Sequence, residues 1–326
     1  MARTPDRGGT LKTWLIRFGQ LALTALVTWY VLVRVGVDWS AFRQLDLAEW
    51  QPNVFLLAAS ALLLLFAMFM NAALWARVVR DLGGAHIPVT QAIPLFMIAN
   101  LGRYLPGKVW QIAGLAALAS ARGVRPVTAT GAAVLGQGLS ILAATAIGLG
   151  ALLTGPESVR TWGLVASVVL ALVVLLIAIP TSFQAGAGLW FRVARAKAPP
   201  QLDSVHGLRW LGLYALNWVL LALSFWVLVI SFGVSAEVVP VASAFAAAYV
   251  AGYLFLPAPA GAGIREAFLI TFLTPHLGSV AAAALAIIAR IWTSAVELVP
   301  AAVFWMRHVA VPITGAEAGA GEAAGE

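Results

Sequence analysis

Residues 241–274 read VASAFAAAYVAGYLFLPAPAGAGIREAFLITFLT, and this apolar but interrupted stretch decides how the chain is expected to fold. Pro257, Pro259, Gly261 and Gly263 break it in the middle. Proline lacks a backbone N–H and clashes with the preceding helical turn, and glycine adds backbone freedom, so one straight helix is excluded. Each side of the break has about 13–16 residues, roughly 20–24 Å of helix, which is short for a ~30 Å hydrocarbon core. We interpret the segment as a re-entrant hairpin of two half-helices.

A second broken segment lies at 91–121, QAIPLFMIANLGRYLPGKVWQIAGLAALASA, with its break at Pro106 and Gly107. Uninterrupted apolar runs surround the two segments, at about 13–33, 54–75, 127–153, 161–183, 208–232 and 279–306. Runs of about 20 apolar residues are typical of transmembrane helices. The pattern therefore predicts an all-α integral membrane protein, with about six full transmembrane helices and two re-entrant broken hairpins.

Composition excludes several other classes of protein. Apolar residues make up 62% of the chain and charged residues only 10%, whereas soluble domains carry about 25% charged residues. Alternating strands typical of a membrane barrel are absent from the sequence. The chain has no cysteine, and its four histidines are far apart, so the sequence predicts no metal site and no cofactor. Without a recognisable catalytic motif, we expect no enzyme.

The distribution of lysine and arginine favours the hairpin interpretation. The net charge is +7, and the basic residues lie mostly in short loops, where they set orientation instead of binding nucleic acid. With a cytoplasmic N-terminus and both broken segments returning to their own side, the inside and outside counts are 12 and 3. If each broken segment crosses once, the counts become 7 and 8. The positive-inside rule thus predicts a multi-pass protein of the cell membrane with both termini in the cytoplasm.

An internal repeat follows from the same layout. A shift of 153 residues places Pro106 on Pro259, Val127 on Val280 and Gln137 on Arg290. We therefore predict a disordered N-terminus (1–11), one membrane domain (12–310) with halves at about 12–155 and 156–310, and a disordered acidic tail (311–326). Each half crosses the membrane three times, so the halves are inverted, as in many transporters.

Several charged residues fall inside apolar segments, where each costs roughly 2.5–3.5 kcal/mol on insertion scales. Both return half-helices begin at a break and expose unpaired N–H groups there, which favours an anion such as phosphate. The predicted substrate-binding residues are Arg103, Lys108 and Arg265, with Asn100 and Gln111.

A second group is predicted to form a switching network: Glu266, Arg290, Glu297 and Gln137. Arg290 and Glu297 are seven residues apart and share one helix face. The alternatives are that the breaks only reverse the chain, that the charges form a structural ion network, and that Arg103 snorkels to the cytoplasmic face. Six tryptophans, at 50, 75, 162, 190, 210 and 305, are expected at the membrane interface.

Two stretches carry a family resemblance. NLGRYLPGKVWQ (100–111) and LPAPAGAGIREA (256–267) resemble the signature segments of the lysylphosphatidylglycerol synthase transmembrane family, also called the flippase-like family. The resemblance covers about 12–310. It implies the lipid-translocating membrane region and not the soluble domain that aminoacylates phosphatidylglycerol. Many relatives carry glycine and then an acid where Trp110 and Gln111 stand, which argues against a positively charged headgroup.

Two functions remain open from the sequence. The first is a flippase or transporter for an anionic phospholipid or a lipid-linked phosphate, whose partners are anionic membrane lipids. The second is a non-transporting scaffold that supports a separate lipid or cell-envelope glycan synthase. An intramembrane enzyme is a weaker third, since no nucleophile with a base is visible. The basic stretch LWFRVARAK (189–197) is expected to be a solvated loop, with anionic headgroups as its alternative ligands.

Overall fold

The computed structural model describes residues 51–104, 109–194, 202–255 and 258–309. Within these ranges every regular element is helical, which confirms the all-α prediction. The α-helices are α1 (Val54–Asp81), α2 (Val89–Asn100), α3 (Val109–Ser120), α4 (Pro126–Thr154), α5 (Glu157–Ala178), α6 (Pro180–Val193), α7 (Ser204–Ser231), α8 (Val238–Leu254), α9 (Ile264–Leu277) and α10 (Ser279–Val309). Two 3-10 turns, Leu101–Tyr104 and Pro259–Gly261, follow α2 and α8. The predicted span at 13–33, the N-terminus 1–11 and the tail 311–326 lie outside the described residues.

Five helices, α1, α4, α5, α7 and α10, are long and apolar enough to cross a bilayer. Their most apolar windows have a mean hydropathy between 1.7 and 2.6. They coincide with the five predicted spans that fall within the described residues. Much of their surface is apolar and exposed, most clearly on α5, where Val168 and Leu172 are 69% and 55% exposed. Because water does not favour such a surface, these faces are suited to lipid.

The fourth predicted span ends earlier than expected, at Ala178, and a separate helix α6 begins at Pro180. A proline at the first helical position has no N–H to contribute and prevents the preceding helix from continuing. The prediction of a solvated loop at 189–197 is wrong for residues 189–193, because they belong to helix α6. Phe191 is buried, and the indole N–H of Trp190 donates to the Val127 carbonyl oxygen at 3.1 Å. These contacts hold α6 against the bundle.

α1 and α7 form the centre of the fold and run antiparallel. The Asn53 backbone N–H, just before α1, donates to the carbonyl oxygen of Ser231 at the end of α7 (2.7 Å). At the opposite ends, the Trp210 indole N–H donates to an Asp81 carboxylate oxygen at 3.0 Å. Each helix has 28 residues. Their contact is the most extensive between any two described helices.

Each broken segment consists of two short helices that contact each other, α2 with α3 and α8 with α9. The first helix of each segment also packs on a long helix distant in sequence, α2 on α10 and α8 on α4. The two 3-10 turns contact one another. The two 3-10 turns therefore bring the described ends of the two broken segments together.

Two tryptophans expected at the membrane interface are instead core residues. Trp75 and Trp210 are each 1% exposed. Their indole N–H groups find acceptors inside the protein, Ala129 O at 3.5 Å and Asp81 Oδ2 at 3.0 Å. A buried indole needs such a partner, and a hydropathy pattern does not reveal one. Trp162 and Trp305 remain exposed, as expected for interface residues.

Candidate functional site

The second break is built from glycines in conformations that other residues avoid. Gly261 and Gly263 have φ of +70° and +83°, and between α8 and α9 Ala260 also has a positive φ, +49°. A Cβ on Gly261 would lie 2.8 Å from the Gly252 carbonyl oxygen, so the turn rests directly on α8. Pro259 lies in the 3-10 turn of this break. Four predicted residues, Pro106, Gly107, Lys108 and Pro257, lie outside the described residues.

Glu266 and Arg290 hold the second break in place. Glu266 accepts a hydrogen bond from the Gly263 backbone N–H at 2.6 Å, which caps the start of α9. Its other oxygen lies 3.7 Å from Arg290 Nη1. The same Arg290 nitrogen donates to the Ala260 carbonyl oxygen at 3.2 Å. Two of the four residues predicted to form a network are thus joined across α9 and α10.

Glu297, on α10, is bound to the first break. Arg103 Nη1 lies 2.8 Å from Glu297 Oε1, and the Tyr104 hydroxyl donates to Glu297 Oε2 at 2.6 Å. Glu297 is 7% exposed, and these two partners offset the cost of burying its carboxylate. The sequence pattern placed Glu297 with Arg290; in the structure its ion-pair partner is Arg103.

Arg265 is different from the other buried charges. It is 7% exposed and lies in the first turn of α9. Its guanidinium carbon is 4.9 Å from the centre of the Phe245 ring, a cation–π contact. Within the described part of the chain it makes no ion pair or hydrogen bond, because the neighbouring carboxylate of Glu266 is directed to Arg290. Arg265 is therefore a buried cation without an ion pair in the described part of the chain.

These residues surround one cavity between the two breaks and the central helices. The cavity encloses about 1020 Å³, counting the space at its open side. Asn100 accepts a hydrogen bond from Gln111 Nε2 at 2.9 Å on its wall. The polar lining residues are Asn71, Asn100, Arg103, Gln111, Gln137, Ser140, Asn217, Tyr249, Tyr253, Arg265, Thr293 and Glu297. A cavity with two arginines and a single, already paired acid favours an anion.

The model of one protein family, described as the lysylphosphatidylglycerol synthase TM region, matches residues 17–301. The chain belongs to this family. The matched residues include every described helix up to α9 and most of α10. None of the curated proteins compared with the chain matches it. The family and the five long apolar helices agree on a multi-pass membrane protein.

In this member of the lysylphosphatidylglycerol synthase transmembrane family, most predicted site residues meet at one place. Asn100, Arg103, Gln111, Gln137, Arg265 and Glu297 all line the large cavity. Arg290 lines a smaller adjoining cavity, together with Arg103, Arg265 and Glu297. Glu266 lines neither cavity. Gln137 is on the cavity wall but makes no contact with the ionic residues, and its buried Nε2 has no hydrogen-bond partner among the described residues.

Sequence reasoning missed several residues of the site. Tyr104 shares Glu297 with Arg103, and nothing in the sequence signalled this tyrosine. Asn71 and Asn217 lie within long apolar spans, and both line the cavity. An amide inside an apolar span is a detectable signal, because polar groups in the membrane are costly and usually functional.

Proposed function

We propose that this chain moves an anionic phospholipid or a lipid-linked phosphate between the two leaflets of the membrane. The observation that carries the proposal is Arg265, a buried cation that faces a cavity and has no carboxylate partner. An unpaired charge at this depth is expensive unless something binds it. A phosphate headgroup supplies the missing negative charge and several acceptor oxygens.

The arrangement of helices supports an inverted repeat around this cavity. The order long helix, short helix, 3-10 turn, short helix, long helix occurs in 54–154 and again in 204–309. The corresponding helices α1 and α7 are antiparallel, as two halves with opposite orientation require. A glycine near the end of the first short helix of each broken segment lies close to the residue nine positions on. A Cβ added to Gly102 would be 2.6 Å from Gln111 N, and one added to Gly252 would be 3.4 Å from Gly261 Cα.

Corresponding positions of the two halves also line the cavity. A shift of 150 residues superimposes three cavity residues of α1 on three of α7: Ala67 on Asn217, Met68 on Trp218 and Asn71 on Leu221. A shift of 149 residues superimposes cavity residues of α2 on those of α8, Phe96 on Phe245 and Asn100 on Tyr249. The site is therefore proposed to lie on the pseudo-two-fold axis, near the middle of the bilayer, between two re-entrant hairpins.

The ion pairs suggest how a headgroup changes the state of the protein. Arg103 is 2.8 Å from Glu297 and lines the same cavity as Arg265. A phosphate held by Arg265 attracts Arg103 and competes with Glu297 for it, because both are anionic oxygen ligands. Loss of the Arg103–Glu297 contact would leave the Tyr104 hydrogen bond as the remaining side-chain link to Glu297, and would weaken the hold of α10 on the first break. We propose this exchange as the step that opens the cavity toward the other leaflet, with Arg290 and Glu266 keeping the second break intact.

The test is lipid movement by the purified protein in liposomes containing a labelled anionic phospholipid. Wild type is expected to move the label between leaflets, and Arg265→Ala is expected to lose at least about tenfold in rate while keeping its thermal stability. Arg209→Ala is the matched control, since Arg209 is exposed and away from the cavity. Wild-type protein that moves neither a labelled anionic phospholipid nor a polyprenyl phosphate contradicts the proposal.

One observation favours the second candidate, a non-transporting scaffold. Both acids of the site are already neutralised, Glu266 by Arg290 and Glu297 by Arg103. A structural network satisfies its charges in this way without a ligand. On the scaffold model, Arg265→Ala lowers stability. Neither the wild type nor the variant then moves any lipid faster than it moves in protein-free liposomes. The same liposome measurement, joined to a thermal unfolding curve, separates the two candidates.

A further inference from the structure

The cavity has a second set of polar groups, separate from the arginines, that nothing yet accounts for. Asn217 is 1% exposed, and neither its Nδ2 nor its Oδ1 has a hydrogen-bond partner in the described part of the chain. It is the fourteenth of the 28 residues of α7 and lines the cavity, so it lies midway along a transmembrane helix. Gln137 Nε2, on the same wall, is buried and equally without a partner.

Buried amides without partners are rare, because each unsatisfied group loses its hydration and gains no hydrogen bond in exchange. Here two of them face one cavity. Ser140 joins them on this wall: its oxygen accepts the Trp218 indole N–H at 2.8 Å, which leaves its own hydroxyl hydrogen able to donate. This neutral wall offers donors from Asn217, Gln137 and Ser140, and an acceptor in Asn217 Oδ1.

These donors and acceptors determine which chemical groups the neutral wall can bind. A phosphate has only acceptor oxygens, so it cannot satisfy Asn217 Oδ1, which needs a donor. An ammonium group is a donor, but the cavity holds two arginines and one paired acid, which repel a cation. Hydroxyl groups remain, since each both donates and accepts.

Aromatic side chains complete the neutral wall. Trp218 and Tyr249 both line the cavity, with ring centroids 4.7 Å apart in an edge-on arrangement. Aromatic rings provide rigid apolar surface with a polar tip, and they suit the C–H face of a ring that carries hydroxyls on its edge. Amides beside aromatic rings, next to buried arginines, therefore match a ring polyol attached to a phosphate.

Resting on the proposed function, we infer that the headgroup carried in this cavity is a ring polyol phosphate, such as an inositol or a sugar. The arginines Arg265 and Arg103 bind the phosphate, and Asn217, Gln137 and Ser140 bind the hydroxyls. Two kinds of lipid carry this chemistry, an inositol phospholipid and a glycosyl polyprenyl phosphate.

The test is equilibrium binding of defined lipids to the purified full chain in detergent, measured by native mass spectrometry and independent of transport. The probes are phosphatidylinositol, glucosyl polyprenyl phosphate, phosphatidic acid and unglycosylated polyprenyl phosphate. We expect at least one polyol-bearing lipid to bind about tenfold tighter than its partner without the polyol, and the pair that shows this identifies the source. Equal affinity within both pairs overturns the inference, and the proposed function survives it as long as the anionic lipids bind.

Two variants check the assignment to these residues. Asn217→Leu removes both unsatisfied groups and keeps the branched shape of the side chain. We expect it to abolish the preference for the polyol, leave phosphatidic acid affinity within about twofold, and retain thermal stability. Gln137→Leu is expected to weaken the preference in the same direction. An unchanged preference in both variants overturns the assignment. Should Asn217→Leu fail to fold, the wild-type lipid pairs and Gln137→Leu still decide. Wild type that binds no anionic lipid rejects the proposed function itself.

Discussion

Arg103 and Glu297 are separated by 194 residues in the chain and by 2.8 Å between Nη1 and Oε1. Arg103 is in the 3-10 turn that follows α2 in the first broken segment, and Glu297 is on the last long helix, α10. Their side chains are 20% and 8% exposed. This ion pair ties the 3-10 turn before the first break to the last long helix, at the wall of the cavity.

Glu297→Gln is expected to destabilise the protein by roughly 2–3 kcal/mol. The substitution leaves Arg103 partly buried without its acid, and the cost is below that of a fully buried pair because the cavity admits solvent. In a double-mutant cycle with Arg103→Gln, we expect a coupling energy of about 1 kcal/mol or more. The measurement is the free energy of unfolding in mild detergent. Glu297→Gln with Arg209→Gln serves as the control cycle, and additivity in both cycles would show that the ion pair has no energetic role.

A second prediction concerns the cap on α9. Glu266→Ala removes both the acceptor for the Gly263 N–H and the partner of Arg290, so a loss of roughly 2–3 kcal/mol is expected. Glu266→Gln keeps an acceptor oxygen and loses only the charge, and it is expected to cost about half as much. Hydrogen exchange at residues 260–266 should accelerate in the alanine variant first. Equal losses in the two variants would assign the effect to charge alone.

The positions of the helices were predictable from sequence to a large extent. An uninterrupted run of apolar residues in a bilayer must satisfy its backbone hydrogen bonds internally and therefore forms a helix. The five described spans thus follow from their length and composition. The breaks followed equally from the backbone chemistry of proline and glycine. The division of residues 157–193 into α5 and α6 was missed, although Pro180 signalled it, because an apolar count does not register where a helix must end.

Pairing inside the site was harder to predict, for a physical reason. Periodicity places Arg290 and Glu297 on one face of α10, but it gives no information on which helix packs against that face. Glu297 instead binds Arg103 and Tyr104, which belong to a segment nearly two hundred residues away in the chain. Glu266 and Arg290 are closer in sequence, and their Oε1 and Nη1 atoms lie 3.7 Å apart. Pairing between distant segments depends on tertiary packing, which the residue pattern of a single sequence does not reveal.

The orientation in the membrane is testable by labelling, because the chain has no cysteine of its own. Single cysteines at exposed positions Ala121 and Ala194 are expected to react only from the cytoplasmic side, and those at Ser158 and Ser235 only from outside. The experiment uses a membrane-impermeant maleimide on intact cells and on inverted vesicles. Reaction of Ala121→Cys and Ala194→Cys from opposite sides would contradict the inverted-repeat topology, because an even number of crossings must separate them.

The last prediction uses the close approach of Gly252 to the second break. A Cβ at Gly252 would lie 3.0 Å from Arg265 Cβ and 3.4 Å from Gly261 Cα, which is tighter than ordinary contact. Gly252→Ala therefore pushes the α9 N-terminus and its arginine away from α8. We expect a modest loss of stability, about 1 kcal/mol, because the added methyl is partly offset by the helix preference of alanine.

The effect on lipid movement is expected to be at least as large as the effect on stability. Binding at the cavity depends on where the Arg265 guanidinium lies, and a displacement of a few tenths of an ångström to 1 Å is enough to disturb a charged hydrogen bond. The liposome rate should fall at least about fivefold, a change worth roughly 1 kcal/mol. Gly212→Ala is the matched control, since a Cβ there meets nothing within 4 Å on α7. It should retain the full rate and gain slightly in stability, because alanine favours a helix by about 1 kcal/mol over glycine. A Gly252→Ala protein with the wild-type rate would show that the contact between α8 and the break does not position Arg265.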